Sequence, residues 1–264
     1  VFYFKKRSSY RKFKGFRMIV IISPAKRVKP DPDFMPYQMP VFISHAKLLC
    51  KELQKLTYEK LRKVLSCNDR IANDAFNIYQ DMNLEKNTTP AIVSFDGIQF
   101  KYMAPRVFDT ECFNYIEEHV KILSALYGIL NPFDGIVPYR LELCANFSFL
   151  HYKNLYDFWG DLPAIKINNE TDIVLNLASN EYAKMICPHL KKQIRIIHFV
   201  FAQNISGKII EKGVYVKIAR GEMVRFLAEN KITDYRDTKY FNRGGYRYEK
   251  DLSSENKYVF IKDS

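Results

Sequence analysis

The chain has 264 residues, of which 47% are hydrophobic and 27% are charged. These proportions are typical of a globular protein with its own core and exclude a disordered or fibrous chain. The longest apolar runs, residues 18–22 and 199–202, are far shorter than the ~20 residues that a membrane helix needs. No signal-peptide core is visible near the start. We therefore expect a cytoplasmic protein without a membrane segment.

The formal net charge of +12 is unevenly distributed along the chain. Residues 1–17 contain seven lysines and arginines and no acidic residue, so the rest of the chain has 34 basic side chains (41 minus 7) against 29 acidic ones. The first segment has no helical or strand period, and charge runs of this kind usually stay solvated. We interpret residues 1–17 as a basic leader outside the fold and residues 18–264 as one domain.

Five cysteines and five histidines are scattered through the sequence. None is paired as Cys-x-x-Cys, and only His189 lies close to a cysteine, Cys187. This spacing argues against a disulfide framework and against a structural zinc site. We expect neither a metal nor another cofactor.

Strand-like and helical segments alternate along the chain. Residues 18–22 form a continuous apolar run that predicts a buried opening strand, and a loop with four prolines follows. Apolar spacing and the capping residues Thr57 and Asp109 predict helices at residues 45–56, 58–65, 68–82, 109–127 and 220–230. Further strands are predicted at residues 91–95, 173–177, 195–202, 209–219 and 258–261. Because residues 204–207 carry a hairpin signal, we predict a single α/β domain with a mixed sheet flanked by helices.

Polar residues follow three of the predicted strands. In open α/β sheets, ligands bind outside the carboxyl ends of the strands, where helix N-termini offer free N–H groups to anions. The residues at these ends that suit a phosphate are Lys26, Ser179, Arg220 and Arg225. An alternative stays open, in which Ser179 caps its helix and the basic side chains face solvent.

Residues 123–142 combine a predicted helix end, a turn at Gly128 and the charged residues Arg140 and Glu142. A helix followed by a tight glycine turn resembles a helix-hairpin-helix, which holds a nucleic-acid backbone through main-chain N–H groups. Two prolines in the segment are equally compatible with a capped helix and an irregular loop.

Two carboxylates, Asp157 and Asp161, flank the single tryptophan of the chain. Acids among aromatic rings can have a raised pKa and act as general acids or bases, although many cap helices or pair with an arginine. The sequence contains no phosphate-binding loop, dinucleotide fingerprint or nucleophile–histidine–acid arrangement.

Several long motifs together resemble the YaaA family of bacterial peroxide-stress proteins, in order from Met18 to the C-terminus. These motifs are ISPAK (22–26), LSALYGILNPFDGIVPYRLE (123–142), LYDFWGD (155–161), LNLASNEY (175–182), KIARGEMVRF (217–226) and GYRYEKDLSSENKYVF (245–260). The resemblance implies a mixed α/β fold with a helix-hairpin-helix and a positively charged cleft that binds duplex DNA, including distorted DNA. It also implies a role in limiting iron-dependent oxidative damage.

By the same resemblance, the cleft residues are Lys26, Arg140, Lys217, Arg220 and Arg225. The chain departs from the family pattern at Asn131, where a basic residue is frequent. The resemblance therefore does not extend to a phosphate contact from that turn, and it does not decide whether the protein is an enzyme.

Three hypotheses follow for the function. The first is a DNA-binding stress protein, and the second is an enzyme acting on a nucleobase or nucleoside, with Glu142, Asp161 or Glu181 as acid or base. The third, an iron-handling protein, has no spaced ligand set to support it. An open basic trough would favour binding alone, whereas chemistry would be favoured by the convergence in one pocket of Lys26, Arg140, Glu142, Glu181 and Arg220.

Overall fold

The computed structural model describes residues 18–263, so the predicted basic leader at residues 1–17 lies outside the described residues. The strands are Met18–Ile22 (β1), Arg27–Val28 (β2), Thr89–Pro90 (β3), Phe95–Asp96 (β4), Val120–Ser124 (β5), Gly128–Leu130 (β6), Gly135–Ile136 (β7), Ile173–Leu177 (β8), Arg195–Ile205 (β9), Lys208–Ile210 (β10), Arg247–Tyr248 (β11) and Lys257–Asp263 (β12).

Helices form most of the connections between these strands. The α-helices are Ile43–Gln54 (α1), Tyr58–Leu65 (α2), Asp69–Gln80 (α3), Ala91–Ser94 (α4), Ile98–Met103 (α5), Thr110–His119 (α6), Leu155–Trp159 (α7), Leu162–Asn168 (α8), Asn180–Ile186 (α9) and Gly213–Glu229 (α10). Short 3-10 helices lie at Pro105–Val107, Cys187–His189, Tyr235–Tyr240 and Arg243–Gly245. Within the described range, no helix is both long and apolar enough to span a membrane.

One large mixed sheet organises the domain, as predicted. Its order is β11-β12-β9-β8-β1-β5-β6, and β10 pairs with β9 beyond the end of β8. The five central strands, from β12 to β5, are mutually parallel, whereas β11, β6 and β10 are antiparallel to their neighbours. Parallel strands need cover on both faces, which agrees with the complete burial of β1.

The chain reverses its direction of winding at β1. It first reaches β5 on one side of β1 and then β8 on the other side. In doubly wound sheets this reversal opens a crevice outside the carboxyl ends of the two strands, because the connecting loops diverge there. The predicted polar residues after β1 and β8 therefore lie at the topological switch point.

Strand β9 projects past that crevice. Its pairing with β8 ends at His198, and the strand continues to Ile205 in register with β12. Seven further residues correspond to roughly 20 Å of extended chain. Helix α10 begins just after the β9–β10 hairpin, so its first turns lie at the same edge of the sheet as the crevice.

Several predicted elements are confirmed. Helix α2 has the predicted bounds, and the Thr57 side chain caps it by accepting a hydrogen bond from the backbone N–H of Lys60. Asn68 caps α3 in the same way through Ile71. Strand β8 also has its predicted bounds. Four of its five residues are buried, as expected for a central strand.

The predicted helix at residues 109–127 is wrong in its second half. The helix ends at His119, and Val120–Ser124 continues as the buried strand β5. The apolar residues of this run fit a helical period, but all five residues of the strand, Lys121 and Ser124 included, are buried because the strand is covered on both faces. The chain then turns into the antiparallel strand β6. The helix-hairpin-helix is therefore not confirmed, because this segment is a β-hairpin.

The predicted strand at residues 209–219 is wrong as well. Only Lys208–Ile210 pairs with β9, and from Gly213 the chain is helical. Val216, Ala219 and Met223 are buried at helical spacing. The apolar residues at 209–210, which precede them, make this helical period hard to recognise in the sequence. Residues 91–95 are mostly the short helix α4, and the predicted edge strand at residues 258–261 is β12, which β11 covers.

Helices α5 and α10 cross in close contact at Gly221. A Cβ atom at Gly221 would lie 2.2 Å from the carbonyl oxygen of Gln99 and 2.9 Å from the amide nitrogen of Met103. Both neighbours are backbone atoms of a helix and cannot move aside cheaply. The absence of a side chain at Gly221 therefore sets the distance between the two helices.

Gly221→Ala should destabilise the protein, because overpacking against a backbone costs about 1–3 kcal/mol and outweighs the gain in helix propensity. Gly213→Ala is the matched control in the same helix, because nothing lies within 4 Å of its added Cβ. Urea denaturation should show a loss for Gly221→Ala and no loss for Gly213→Ala. Equal stabilities of the two variants would contradict the tight crossing.

Candidate functional site

Two serines join the strand ends at the switch point. Ser23 follows β1 and Ser179 follows β8, and their hydroxyl oxygens lie 3.2 Å apart. The backbone N–H of Ser179 also donates to the Ser23 hydroxyl oxygen, at 2.8 Å. Ser179 makes no side-chain capping bond to α9. Its hydroxyl thus lies at the crevice, where a phosphate contact stays a prediction.

Three charged side chains form a cluster that includes Lys26, three residues after Ser23 in the chain. The Lys26 ammonium is 2.6 Å from one carboxylate oxygen of Glu142, and the Arg140 guanidinium is 3.3 Å from the other. Arg140 also donates to the backbone oxygen of Lys26, at 3.5 Å. Two cations therefore share the carboxylate of Glu142.

Glu181 approaches the same cluster from α9. One of its carboxylate oxygens accepts the backbone N–H of Cys144, at 3.1 Å, and the Tyr156 hydroxyl donates to its backbone oxygen, at 3.0 Å. Candidate ligand atoms of Glu142, Cys144 and Glu181 all lie within 4.8 Å of one another. The fold thus assembles a carboxylate and thiol set that the sequence spacing did not reveal, because Cys144 and Glu181 are 37 residues apart.

Burial and the negative charge of Glu181 change the pKa values of the Cys144 thiol and the Tyr156 hydroxyl. Burial and the nearby Glu181 carboxylate raise the pKa of the Cys144 thiol, so the thiol is neutral near pH 7. Burial, with Glu181, raises the pKa of Tyr156 to about 12. Cys144 is consequently not an activated nucleophile. Any cation bound here would compete with Lys26 and Arg140 for Glu142.

A small pocket opens at the cluster. Its volume is about 160 Å³, and its lining residues are Lys26, Val64, Leu65, Ser66, Arg140, Glu142, Cys144 and Ala145. Small-molecule sites typically have about 300–1,000 Å³, so this pocket fits one polar group such as a phosphate. A larger cavity of about 320 Å³ lies beside the β9–β10 hairpin, but its lining includes none of the predicted site residues.

The structure brings four predicted site residues together, namely Lys26, Arg140, Glu142 and Glu181. Asp161 is exposed ahead of α8, and no hydrogen bond or ion pair joins it to the cluster within residues 18–263. The tryptophan beside Asp161 is a core residue whose indole N–H donates to the backbone oxygen of Ala125.

The third predicted strand end does not exist, because Lys217, Arg220 and Arg225 lie on helix α10. Lys217 is exposed, whereas Arg225 is paired with Glu229 at 2.8 Å. Arg220 is partly buried on the inward face of the helix. Their roles in phosphate binding stay predictions.

Asn131 has partners within its own turn. Its side-chain oxygen accepts from Lys121, at 2.6 Å, and its amide group donates to Asp134. Lys121 itself is buried in β5 and pairs with Glu170, at 3.0 Å. The asparagine is therefore part of an internal polar network, which gives its presence at this position a structural reason.

These features define an α/β protein with a charged crevice at the switch point of a mixed parallel sheet. The model of the family described as "Peroxide stress protein YaaA" matches residues 18–252. A UPF0246 protein of Desulfitobacterium hafniense is 51% identical over 93% of this chain and 98% of its own length. UPF0246 proteins of Lachnoclostridium phytofermentans and Agathobacter rectalis are 44% and 43% identical, over 93% and 92% of this chain and 96% and 98% of their own lengths. The chain belongs to the YaaA peroxide stress protein family.

Proposed function

We propose that this protein binds duplex DNA in the cytoplasm through the basic crevice around Lys26 and Arg140, and thereby helps to limit iron-dependent oxidative damage. The observation that carries the proposal is the position of two cations, Lys26 and Arg140, on the carboxylate of Glu142 at the end of the sheet where the crevice lies. The Lys26 side chain is 64% exposed, so a phosphate oxygen can reach its ammonium group from solvent. Membership of a peroxide-stress family supports the cellular role.

Further basic groups surround the crevice. The last two residues of helix α2 and its C-capping residue Ser66 line the pocket, and the preceding turn of the helix carries the exposed Lys60 and Lys63. No carboxylate lies within ion-pair distance of these two lysines in the described part of the chain. Contacts from such lysines to phosphates position a duplex without reading its sequence. We therefore expect binding with little sequence preference.

The second candidate is an enzyme that acts on a nucleobase or nucleoside. The observation in its favour is the convergence of Glu142 and Glu181 with Lys26, since a carboxylate pair beside an ammonium group can transfer protons. The pocket volume of about 160 Å³ weighs against it, because a whole nucleoside needs more space. Phosphate binding from the surface has no such requirement.

Affinity for duplex DNA should fall at least about tenfold between 50 and 200 mM salt, because phosphate binding releases counterions. Lys26→Gln should lower the slope of log K against log salt by about 1, as measured by fluorescence anisotropy. Lys55→Gln is a matched control, because Lys55 is 67% exposed and also pairs with a glutamate, Glu52, at 2.6 Å. An affinity that is insensitive to salt, or equal slopes for both variants, would exclude the mechanism.

Glu142→Gln separates the two candidates, because it removes one negative charge and keeps the shape of the side chain. A phosphate-binding crevice should bind duplex DNA equally well or up to ~1 kcal/mol more tightly after this change. An enzyme should lose roughly 10²–10⁴ in turnover while its binding is retained.

Peroxide survival of cells that carry Glu142→Gln supplies the second measurement. Retained survival with retained binding supports the binding function, and lost survival with retained binding supports the enzyme. Weaker binding together with a lower melting temperature would show that Glu142 only holds Arg140 and Lys26 in place, and would contradict both candidates for this residue.

A further inference from the structure

The end of β9 and strand β10 form a two-stranded arm, residues 203–210. Residues 203–205 pair with Lys208–Ile210 in antiparallel register. The two turn residues, Ser206 and Gly207, both have positive φ angles, of 50° and 80°. Such a turn matches the natural twist of the paired strands. The side-chain oxygen of Asn204 also accepts the backbone N–H of Gly207, at 3.0 Å. The arm is therefore a preformed hairpin.

Both faces of β10 are open to solvent. Ile209 and Ile210 are successive strand residues, so their side chains point to opposite faces. They are nevertheless 48% and 39% exposed, whereas a strand that packs on a core buries at least one face. A Cβ atom on Gly207, at the tip, would have nothing within 4 Å. The arm therefore projects from the body with an apolar side chain on each face.

The arm is located at the edge of the crevice. Residues 198–204 of β9 pair with β12 along one edge of the strand, so β8 and β10 share the other edge. Strand β10 consequently lies in line with β8, beyond Ser179. Its outer edge faces the space beyond the end of β1, where Ser23 and Lys26 follow that strand. A duplex bound in the crevice would lie against this edge.

The charges around the arm favour the crevice side for a duplex. Exposed charged residues on the arm and just after it are Lys208, Glu211 and Lys212. Three acids, Glu249, Asp251 and Asp263, line the cavity beside the arm, and they belong to β12 and the segment before it. Because β12 lies across β9 from β10, these acids are on the side of the arm away from the crevice. They repel phosphates there, whereas Lys26 attracts them on the other side.

The small apolar area of the arm distinguishes between possible partners. A stable contact with a second copy of the chain needs about 20–30 residues on each side. The arm and its exposed apolar neighbours, Val214, Tyr215 and Leu252, provide only five apolar side chains. An apolar wedge between two base pairs needs just one or two such side chains, and β-ribbons of this kind enter DNA grooves. The arm thus fits stacked bases better than a protein surface.

We propose that the arm enters a groove of the duplex and inserts Ile209 or Ile210 between two base pairs, which unstacks the step and kinks the DNA. This inference rests on the proposed binding of duplex DNA. The arm extends roughly 20 Å past the end of β8, which exceeds the depth of about 8 Å of either groove. Residues 203–212 lie outside the motifs that carry the resemblance to the YaaA family.

The test is energy transfer between dyes on the two ends of a duplex of about 20 base pairs, with the full chain at saturating concentration. An inserted apolar side chain kinks a duplex by about 20–90°, so the unmodified protein should bring the ends closer and raise the transfer. Ile209→Ala and Ile210→Ala, combined in one chain, should remove most of this rise. Affinity should fall by less than about tenfold, because the phosphate contacts that dominate it are kept.

Two further variants serve as controls. Ile165→Ala changes an isoleucine on α8 that is 45% exposed, and it should keep the full rise in transfer. Lys26→Gln should lower the affinity and yet keep the rise once the duplex is saturated. The melting temperature of the double alanine variant should be unchanged, because both side chains are exposed. Single substitutions then identify which isoleucine is inserted.

A bound duplex whose ends stay apart would overturn the inference and leave the proposed function intact. An equal rise in the double alanine variant would overturn it in the same way. Absence of any duplex binding in the anisotropy measurement would contradict the proposed function and this inference together. Sedimentation covers the remaining partner: a dimer that dissociates in the double alanine variant, with the transfer unchanged, would show that the arm is a subunit contact and would also overturn the inference.

Discussion

The complete burial of strand β1 is the constraint on which the remaining architecture depends. All five of its residues are apolar and inaccessible, so the strand needs a neighbour on each side and helices on both faces. Because crossovers are right-handed, helices cover both faces only if the chain winds in both directions from β1, as it does towards β5 and later towards β8. The crevice beyond β1 follows from this reversal. Ser23 and Lys26 lie there because they directly follow the strand.

Electrostatics then distinguishes the crevice from ordinary surface. An exposed ion pair such as Lys26 with Glu142 contributes only about 0–1 kcal/mol, so the lysine can exchange its carboxylate for a phosphate at little cost. Arg140 is held more firmly, because it also donates to the backbone of Lys26 and the Tyr79 hydroxyl fixes its own carbonyl. One exposed and one anchored cation are a combination that would suit the proposed binding of a nucleic-acid backbone.

Much of the fold was predictable from local signals, and the failures have physical causes. Helices α2 and α3 are recognisable because a capping side chain marks each start. Strand β5 is not, because burial on both faces removes the alternation that would separate a strand from a helix. The start of α10 was misjudged because its first turns are exposed and carry apolar residues.

The site was also partly predictable from local signals in the sequence. Lys26, Glu142 and Glu181 follow strands or turns, and such positions meet at one edge of a sheet. Cys144 was missed because its partners come from distant parts of the chain. Arg220 was selected as the end of a strand that does not exist, because the chain is helical from Gly213 onwards.

Protection of Cys144 from alkylation by bound duplex DNA is the most direct test of the crevice as the binding site. Cys144 is exposed and lines the pocket with Lys26 and Arg140, whereas Cys187 lies at the far end of α9, on the return towards the opposite edge of the sheet. Under saturating duplex, mass spectrometry should show slower alkylation of Cys144 and an unchanged rate at Cys187. Unchanged rates at both cysteines while the DNA is bound would contradict the account.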